Sequence, residues 1–296
     1  MLSHVIEELP QLLVNGLVAG TILALPAIGF TAIYAVLRFP NFSIASHATM
    51  GAYAGYVANV WFGLPVIPSL LLAFIIPALS GVACDEVVMK PLRRTGPLTA
   101  AIAAVALTIA LENVIRFFFG NDLRGYDLPV WRDWRIDLGF AFLRVGPQQV
   151  ENAAISIAVM AAVFLFLAFT RTGKMMRAVA DNAMLAGIKG INADTVARLG
   201  SFMGMGLVGV GGMLLGLDTS IDPLTGFRAV LSVFAAAVVG GLGSIPGAVV
   251  GAAVVGVGEE LSILILDASY RTAVGFIAIL VVLIFRPRGI LGERAY

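Results

Sequence analysis

Residues 196–217 read VARLGSFMGMGLVGVGGMLLGL, a stretch of 22 residues in which Arg198 is the only charged side chain. An α-helix rises about 1.5 Å per residue, so about 20 apolar residues span the roughly 30 Å hydrocarbon core of a bilayer. The stretch also holds many glycines, which is typical of membrane helices that pack closely through small residues. It therefore predicts a helix that crosses a membrane.

Comparable apolar runs recur along the whole chain, at 12–37, 42–62, 65–85, 98–119, 150–169, 229–240, 246–266 and 270–285. The run 229–240 is too short to cross alone. Whether it crosses with added residues or re-enters as a half-helix that breaks at Gly240-Gly241 stays open. The predicted fold is all-α: a single domain, residues 1–296, forming a polytopic membrane bundle of about eight transmembrane helices with broken or re-entrant segments.

Composition excludes several other classes of protein. Hydrophobic residues make up 59% of the chain and charged residues 12%, whereas about a quarter of a typical soluble domain is charged. The net charge is +1, so nothing indicates a nucleic-acid surface. One cysteine, no H-E-x-x-H or G-x-S-x-G motif and no phosphate-binding G-x-x-x-x-G-K-S/T loop predict no catalytic residue, no metal and no cofactor.

The positions of the basic residues predict the orientation. Three segments carry an excess of them: Lys90, Arg93 and Arg94; Arg171, Lys174, Arg177, Lys189 and Arg198; and Arg286, Arg288 and Arg294. Positive charge collects on the cytoplasmic side of membrane proteins, so these segments and the C-terminus are expected there. The loop of about 120–149 balances basic against acidic residues and carries two tryptophans, as an outer loop does. The side of the N-terminus stays open.

A transport route is expected where helices break or carry charge. Pro40 interrupts the first runs, and a break at membrane depth is tolerated only beside protein or water. We therefore expect Asn41 and Ser43 to line a substrate pathway, with a plain connecting loop as the alternative.

Charged side chains within the apolar runs also indicate such a route, because a charge at membrane depth must pair or meet water. Glu112 and Glu259 are the candidates. For Glu112 the alternative is a structural pair with Arg116, one turn away.

The stretch of about 170–195 predicts a short helix outside the bilayer, from Arg177 to Ala186. Gly187 and Gly190 should end it, and Asn192 should cap a following helix that begins near Thr195.

Two alternatives follow for its surface. Ala178, Asn182 and Ala186 share a face of small residues that suits close docking of a soluble subunit, and Arg177 and Asp181 are spaced to pair. Otherwise the segment is a solvated loop helix without a partner.

This stretch resembles the cytoplasmic coupling loop of permeases from ATP-binding-cassette (ABC) importers for branched-chain amino acids. Residues 173–196 follow that family's pattern except that Met184 and Leu185 replace its usual Glu-Ala. Four further segments are similar to family motifs: PNFSIASHATMGAY at 40–53, KPLRRTGPLTAAIAAVAL at 90–107, GGLGSIPGAVVGAAVVG at 240–256 and RPRGILG at 286–292. Together they span about 250 residues, and the length resembles the LivH type.

The resemblance implies a permease in the bacterial inner membrane that works with cytoplasmic ABC ATPases, a periplasmic binding protein and a second permease, either a related chain or a copy of this one. It places the ATPase contact at Arg177, Ala178, Asp181, Asn182, Ala186, Gly187, Gly190 and Ile191. Branched-chain amino acids are the implied substrates, with urea, amides and aromatic acids as alternatives. An ion-driven secondary transporter and, less favoured, an intramembrane enzyme are the competing functions.

Overall fold

The computed structural model describes residues 2–93, 95–129, 131–137, 142–265, 267 and 270–292, with only the backbone of residues 2–7. Its helices are α1 (Leu2–Leu37), α2 (Ile44–Tyr56), α3 (Val66–Cys84), α4 (Lys90–Arg93), α5 (Pro97–Phe119), α6 (Pro147–Phe169), α7 (Arg171–Ile188), α8 (Ala193–Asp218), α9 (Thr225–Gly240), α10 (Ile245–Leu261) and α11 (Arg271–Phe285). Two strands, β1 (Trp134–Asp137) and β2 (Phe142–Val145), pair antiparallel.

The predicted class, a polytopic helical membrane bundle, is confirmed. Within the part of the chain that the structure describes, six helical stretches are long and apolar enough to cross a membrane: Glu8–Leu37, Val66–Arg93, Pro97–Phe119, Pro147–Phe169, Ala193–Asp218 and Ile245–Leu264. Two shorter apolar helices, α9 and α11, accompany them. The run 229–240 belongs to α9, which has 16 residues and is therefore about 24 Å long, less than the hydrocarbon core.

Helix α8, which contains the glycine-rich run 196–217, forms the centre of the bundle and packs against α1, α2 and α3. Its glycines let neighbouring backbones come unusually close. A Cβ added at Gly212 would collide with the carbonyl of Ala48 on α2, and one at Gly209 with the carbonyl of Ala73 on α3. On α1, Gly29 lies against Gly204 in the same way. Close packing of this kind gains dispersion contacts, which hold membrane helices together in place of the hydrophobic effect.

Charged and polar segments collect at two opposite ends of the bundle. At the hairpin end, Gln11 of α1 bonds the backbone of Arg144, and Asp127, in the loop of about 120–149, donates its backbone N–H to Asn59 at 2.8 Å. The β-hairpin within this loop was not expected from the sequence.

At the other end, which we call the α7 end, the loops containing residues 86–97 and 170–195 lie together. Lys90 pairs with Asp194 at 3.0 Å, and Arg198 pairs with Glu86 at 2.6 Å. These two basic segments therefore share one side of the bundle, as predicted. Arg94 and Arg294 lie outside the described residues.

We predict that Gly212→Ala lowers the midpoint of thermal aggregation of the detergent-solubilised protein by several degrees. The added methyl group overlaps the Ala48 carbonyl, and overpacking of this kind costs about 1–3 kcal/mol. Gly187→Ala is the matched control, because nothing lies within 4 Å of a Cβ at that position. Equal midpoints for the two variants would contradict the close packing of α8.

Candidate translocation pathway and coupling helix

The segment between α1 and α2 is unwound, which confirms the predicted break at Pro40. Helix α1 ends at Leu37, and Arg38 then adopts a left-handed conformation with φ of 58°. The side-chain oxygen of Asn41 accepts hydrogen bonds from the backbone N–H of Ser43 at 3.1 Å and from its hydroxyl at 2.8 Å. Both side chains are buried. Asn41 therefore fixes the chain where it enters α2.

This unwound segment lies deep in the bundle. The carbonyl of Phe42 accepts a hydrogen bond at 3.1 Å from Thr108, which sits near the middle of α5. The ring of Phe42 packs against that of Phe234 on α9, with the ring centroids 5.7 Å apart. Free backbone groups at this depth need partners from the protein, and Thr108 supplies one.

The short helices α2 and α9 meet near their N-terminal ends. The backbone N–H of Gly226 donates to the Thr49 hydroxyl at 3.0 Å, and the same glycine lies against the carbonyl of Ala45. Beside this contact is a cavity of about 10 Å³ with aliphatic walls that include Pro26 and Val233. Such a space holds about one water molecule, so this cavity is too small for a larger solute.

Glu112 is buried on the face of α5 that also carries Thr108 and Ile115. Its Oε1 and the Nε of Arg116 both lack a hydrogen-bond partner. These two atoms therefore do not bond each other, although the positive charge of Arg116 still acts on the Glu112 carboxyl group. An unpaired polar atom at this depth is costly, which fits a group that meets water or substrate in another conformation.

Glu259 lies in a different place, among α9, α10 and α11. Its Oε1 accepts a hydrogen bond from the Ser232 hydroxyl at 2.6 Å, and it faces Gly275 of α11. The next residue, Glu260, pairs with Arg271. Of the predicted pathway residues, the structure brings Asn41 and Ser43 into direct contact, whereas Glu112 and Glu259 occupy other helices. The sequence offered no signal for the Ser232 partner.

Helix α7 contains the predicted extramembrane helix and begins six residues before it. Thr170 caps its start by accepting the N–H of Gly173 at 3.0 Å. Asn182 leaves the helical conformation, with φ of −155° and ψ of 98°, and its side chain accepts the N–H of Leu185 at 2.9 Å. Asn182 therefore ends one helical segment and caps a second one. The predicted cap of α8 by Asn192 is confirmed.

The three residues of the predicted small-residue face do not share one environment, because Asn182 is exposed at the kink while Ala178 and Ala186 pack against the protein. Ala186 is buried with Met176, Val179 and Val196, and Ala178 is packed against this cluster. Helical spacing shows which residues share a face but not which way the face turns.

Besides charged residues such as Lys174 and Asp181, α7 exposes three large apolar side chains: Met184 is 80% exposed, Leu185 55% and Ile188 73%. We call these three residues the tip patch. The expected pair of Arg177 with Asp181 does not form, since Arg177 donates to the carbonyl of Ala168 at 3.4 Å.

Comparisons with known proteins decide the family. The family described as "Branched-chain amino acid transport system / permease component" matches residues 12–285. The chain belongs to this family. Branched-chain amino acid transport permease LivH of Salmonella typhimurium is 32% identical over 96% of this chain and 95% of its own length. BraD of Pseudomonas aeruginosa, a high-affinity branched-chain amino acid transport system permease protein, is 31% identical with the same coverage.

A more distant relative, a probable LivH of Methanocaldococcus jannaschii, is 27% identical over 99% of this chain and 96% of its own length. Among solved structures, PsaBC from Streptococcus pneumoniae in complex with Fab covers 97% of both chains with a TM-score of 0.51 and 14% identity. That likeness supports the fold alone. The chain is thus a multi-pass membrane permease component, a class of transport protein rather than enzyme.

We predict that Asn41→Ala destabilises the permease measurably, as a lower midpoint of thermal aggregation in detergent. The variant removes the acceptor for the Ser43 hydroxyl and leaves the buried N–H of Ser43 unpaired, which costs about 1–3 kcal/mol. Asn113→Ala serves as control, because Asn113 is exposed and donates to its own helix, at Ile109. If both variants shift the midpoint equally, the hydrogen bonds of Asn41 do not stabilise the start of α2.

Proposed function

We propose that this chain is the permease subunit of an ATP-driven importer of branched-chain amino acids in a bacterial inner membrane. The observation that carries the proposal is the family match over residues 12–285. Two relatives whose names include branched-chain amino acid transport align over nearly the whole chain. The chain has no phosphate-binding loop of its own, so separate cytoplasmic ATPase subunits supply the energy.

The proposed orientation puts the α7 end and the C-terminus in the cytoplasm and the hairpin end outside. The support is the distribution of charge: the α7 end gathers the basic segments, while residues 120–149 carry four basic and four acidic residues. Trp131 and Trp134 are exposed at the hairpin end, where interfacial tryptophans are favoured. A periplasmic binding protein then delivers substrate to the hairpin end.

The tip patch is the proposed ATPase contact. Met184, Leu185 and Ile188 stand in a segment of low mean hydropathy between two membrane helices, so water rather than lipid surrounds them in the isolated chain. Exposed apolar side chains that cluster in water indicate a protein partner. The cap at Asn182 and the turn at Gly190, where φ is 83°, fix the ends of the segment that carries the patch.

Apolar faces of α3, α5 and α11 remain exposed, with Leu71, Ile102 and Phe285 as examples. At membrane depth such faces meet lipid or another membrane protein. We propose that part of this surface contacts a second permease, either a related chain or a copy of this one.

We predict that Ile188→Asp abolishes co-purification of the ATPase subunits and lowers leucine uptake at least tenfold. A carboxylate in the tip patch would have to be desolvated in the interface. Phe142→Asp is the control for co-purification, since Phe142 is equally exposed, 70%, at the hairpin end. Normal ATPase recovery with Ile188→Asp would place the docking surface elsewhere.

We also predict that uptake of tritiated leucine into proteoliposomes needs the ATPase subunits, the binding protein and ATP. An ionophore that collapses ion gradients should leave the initial rate unchanged, because the energy comes from hydrolysis. Uptake by the permease alone that follows a Na⁺ or proton gradient would instead support the secondary transporter, for which ion sites near the midplane are expected.

A further inference from the structure

The unwound segment and the kinked helix α7 touch through one side chain. The guanidinium of Arg38 donates through Nη2 to the backbone carbonyl of Ala180, which lies two residues before the kink at Asn182. In an uninterrupted helix, that carbonyl would accept a hydrogen bond only from the N–H four residues further along the chain. Among the described residues, this is the one hydrogen bond between residues 38–43 and α7.

The backbone of Arg38 is as unusual as its contact. Its φ of 58° is the only positive value among the described residues other than glycine, and this left-handed region is disfavoured for a side chain such as arginine. A glycine would meet the backbone requirement more easily. An arginine at this position is therefore explained by what its side chain does, and the side chain reaches α7.

The surroundings leave α7 room to move. An open groove of about 300 Å³ is lined by Val179 and Ala183 of α7, by Val36 and Leu37 at the end of α1, and by Lys90 and the start of α8. On one side of this groove Val36 packs against the cluster that contains Met176 and Val179. The polar link from Arg38 therefore lies beside a groove into which α7 can move.

The other end of the unwound segment is fixed. Phe39 is buried beneath the guanidinium of Arg93, 5.9 Å from its ring centroid, and Asn41 holds the start of α2. A displacement of Ala180 therefore acts on a short connection of a few residues that ends at Asn41 and Ser43.

We propose that Arg38 is a positioning residue that transmits movement of α7 to the unwound segment and so opens the route beside Asn41 and Ser43. The proposal rests on the proposed function, in which α7 receives force from the ATPase. In this proposal the Arg38 side chain carries the movement of α7, the cytoplasmic docking element, to the interior of the bundle.

The test uses the complete transporter with Arg38→Asn, Arg38→Lys and the control Arg171→Asn. Asparagine adopts the left-handed conformation readily but cannot reach Ala180, and lysine keeps a positively charged donor group on a long stem. Arg171 is an exposed cation in the first turn of α7, so its loss matches the change of charge. Hydrogen–deuterium exchange of peptides covering residues 38–43 is measured with and without a non-hydrolysable ATP analogue, together with ATP hydrolysed per leucine imported.

We expect the analogue to change exchange in this segment in the wild type and in Arg171→Asn, and to change it at least threefold less in Arg38→Asn. ATP consumed per leucine should rise at least fivefold in Arg38→Asn, with partial rescue in Arg38→Lys and unchanged recovery of ATPase. A wild-type segment that ignores the analogue, or an Arg38→Asn transporter that responds like the wild type, overturns the proposal. Absence of leucine uptake despite a normal exchange response would instead refute the proposed substrate.

Discussion

The absence of water in the hydrocarbon region is the constraint on which the rest of this structure depends. Every backbone N–H and carbonyl there needs a partner within the protein, so an unwound segment survives only where side chains replace the helix ladder. The Asn41 side chain accepts a hydrogen bond from the N–H of Ser43, and the Thr108 hydroxyl donates one to the carbonyl of Phe42. Specific side chains therefore stabilise the break between α1 and α2. The helix α2 is short because it begins only after this break.

The same constraint explains why α8 is so rich in glycine. A break at depth must be enclosed, and enclosure requires neighbouring helices to approach one another closely. Gly209 and Gly212 remove the side chains that would hold α3 and α2 away. The close packing of α8 holds α2, the helix that follows the unwound segment, and Gly226 on α9 contacts α2 from another side by donating its backbone N–H to Thr49. In this fold, the close packing of the helices and the geometry of the candidate pathway therefore depend on each other.

The sequence predicted the class of fold, most membrane helices, the break at Pro40 and the cap at Asn192, because hydrophobic length, proline and capping residues act locally. It could not predict which way the faces of α7 turn, since Ala186 is as compatible with docking as with burial. Nor could it predict contacts between residues far apart in the chain, such as Arg38 with Ala180 or Ser232 with Glu259. In a chain so uniformly apolar, hydrophobicity does not distinguish a face that meets lipid from one that meets protein.

At the α7 end, an exposed apolar face can be distinguished from one that meets lipid, because this end lies beyond the membrane helices. The exposed residues of α7 therefore say more about a protein partner than those of α3 or α5. An exposed leucine on α3 or α5 costs nothing in lipid, so its exposure indicates no partner. Met184 and Ile188 stand beyond the ends of the membrane helices, where exposure to water does have a free-energy cost. A cap at Asn182 holds them outward although inward-facing positions on the same helix are packed. Local structure that maintains an unfavourable exposure favours cover by another protein, and this is why we propose the ATPase as the partner of the tip patch.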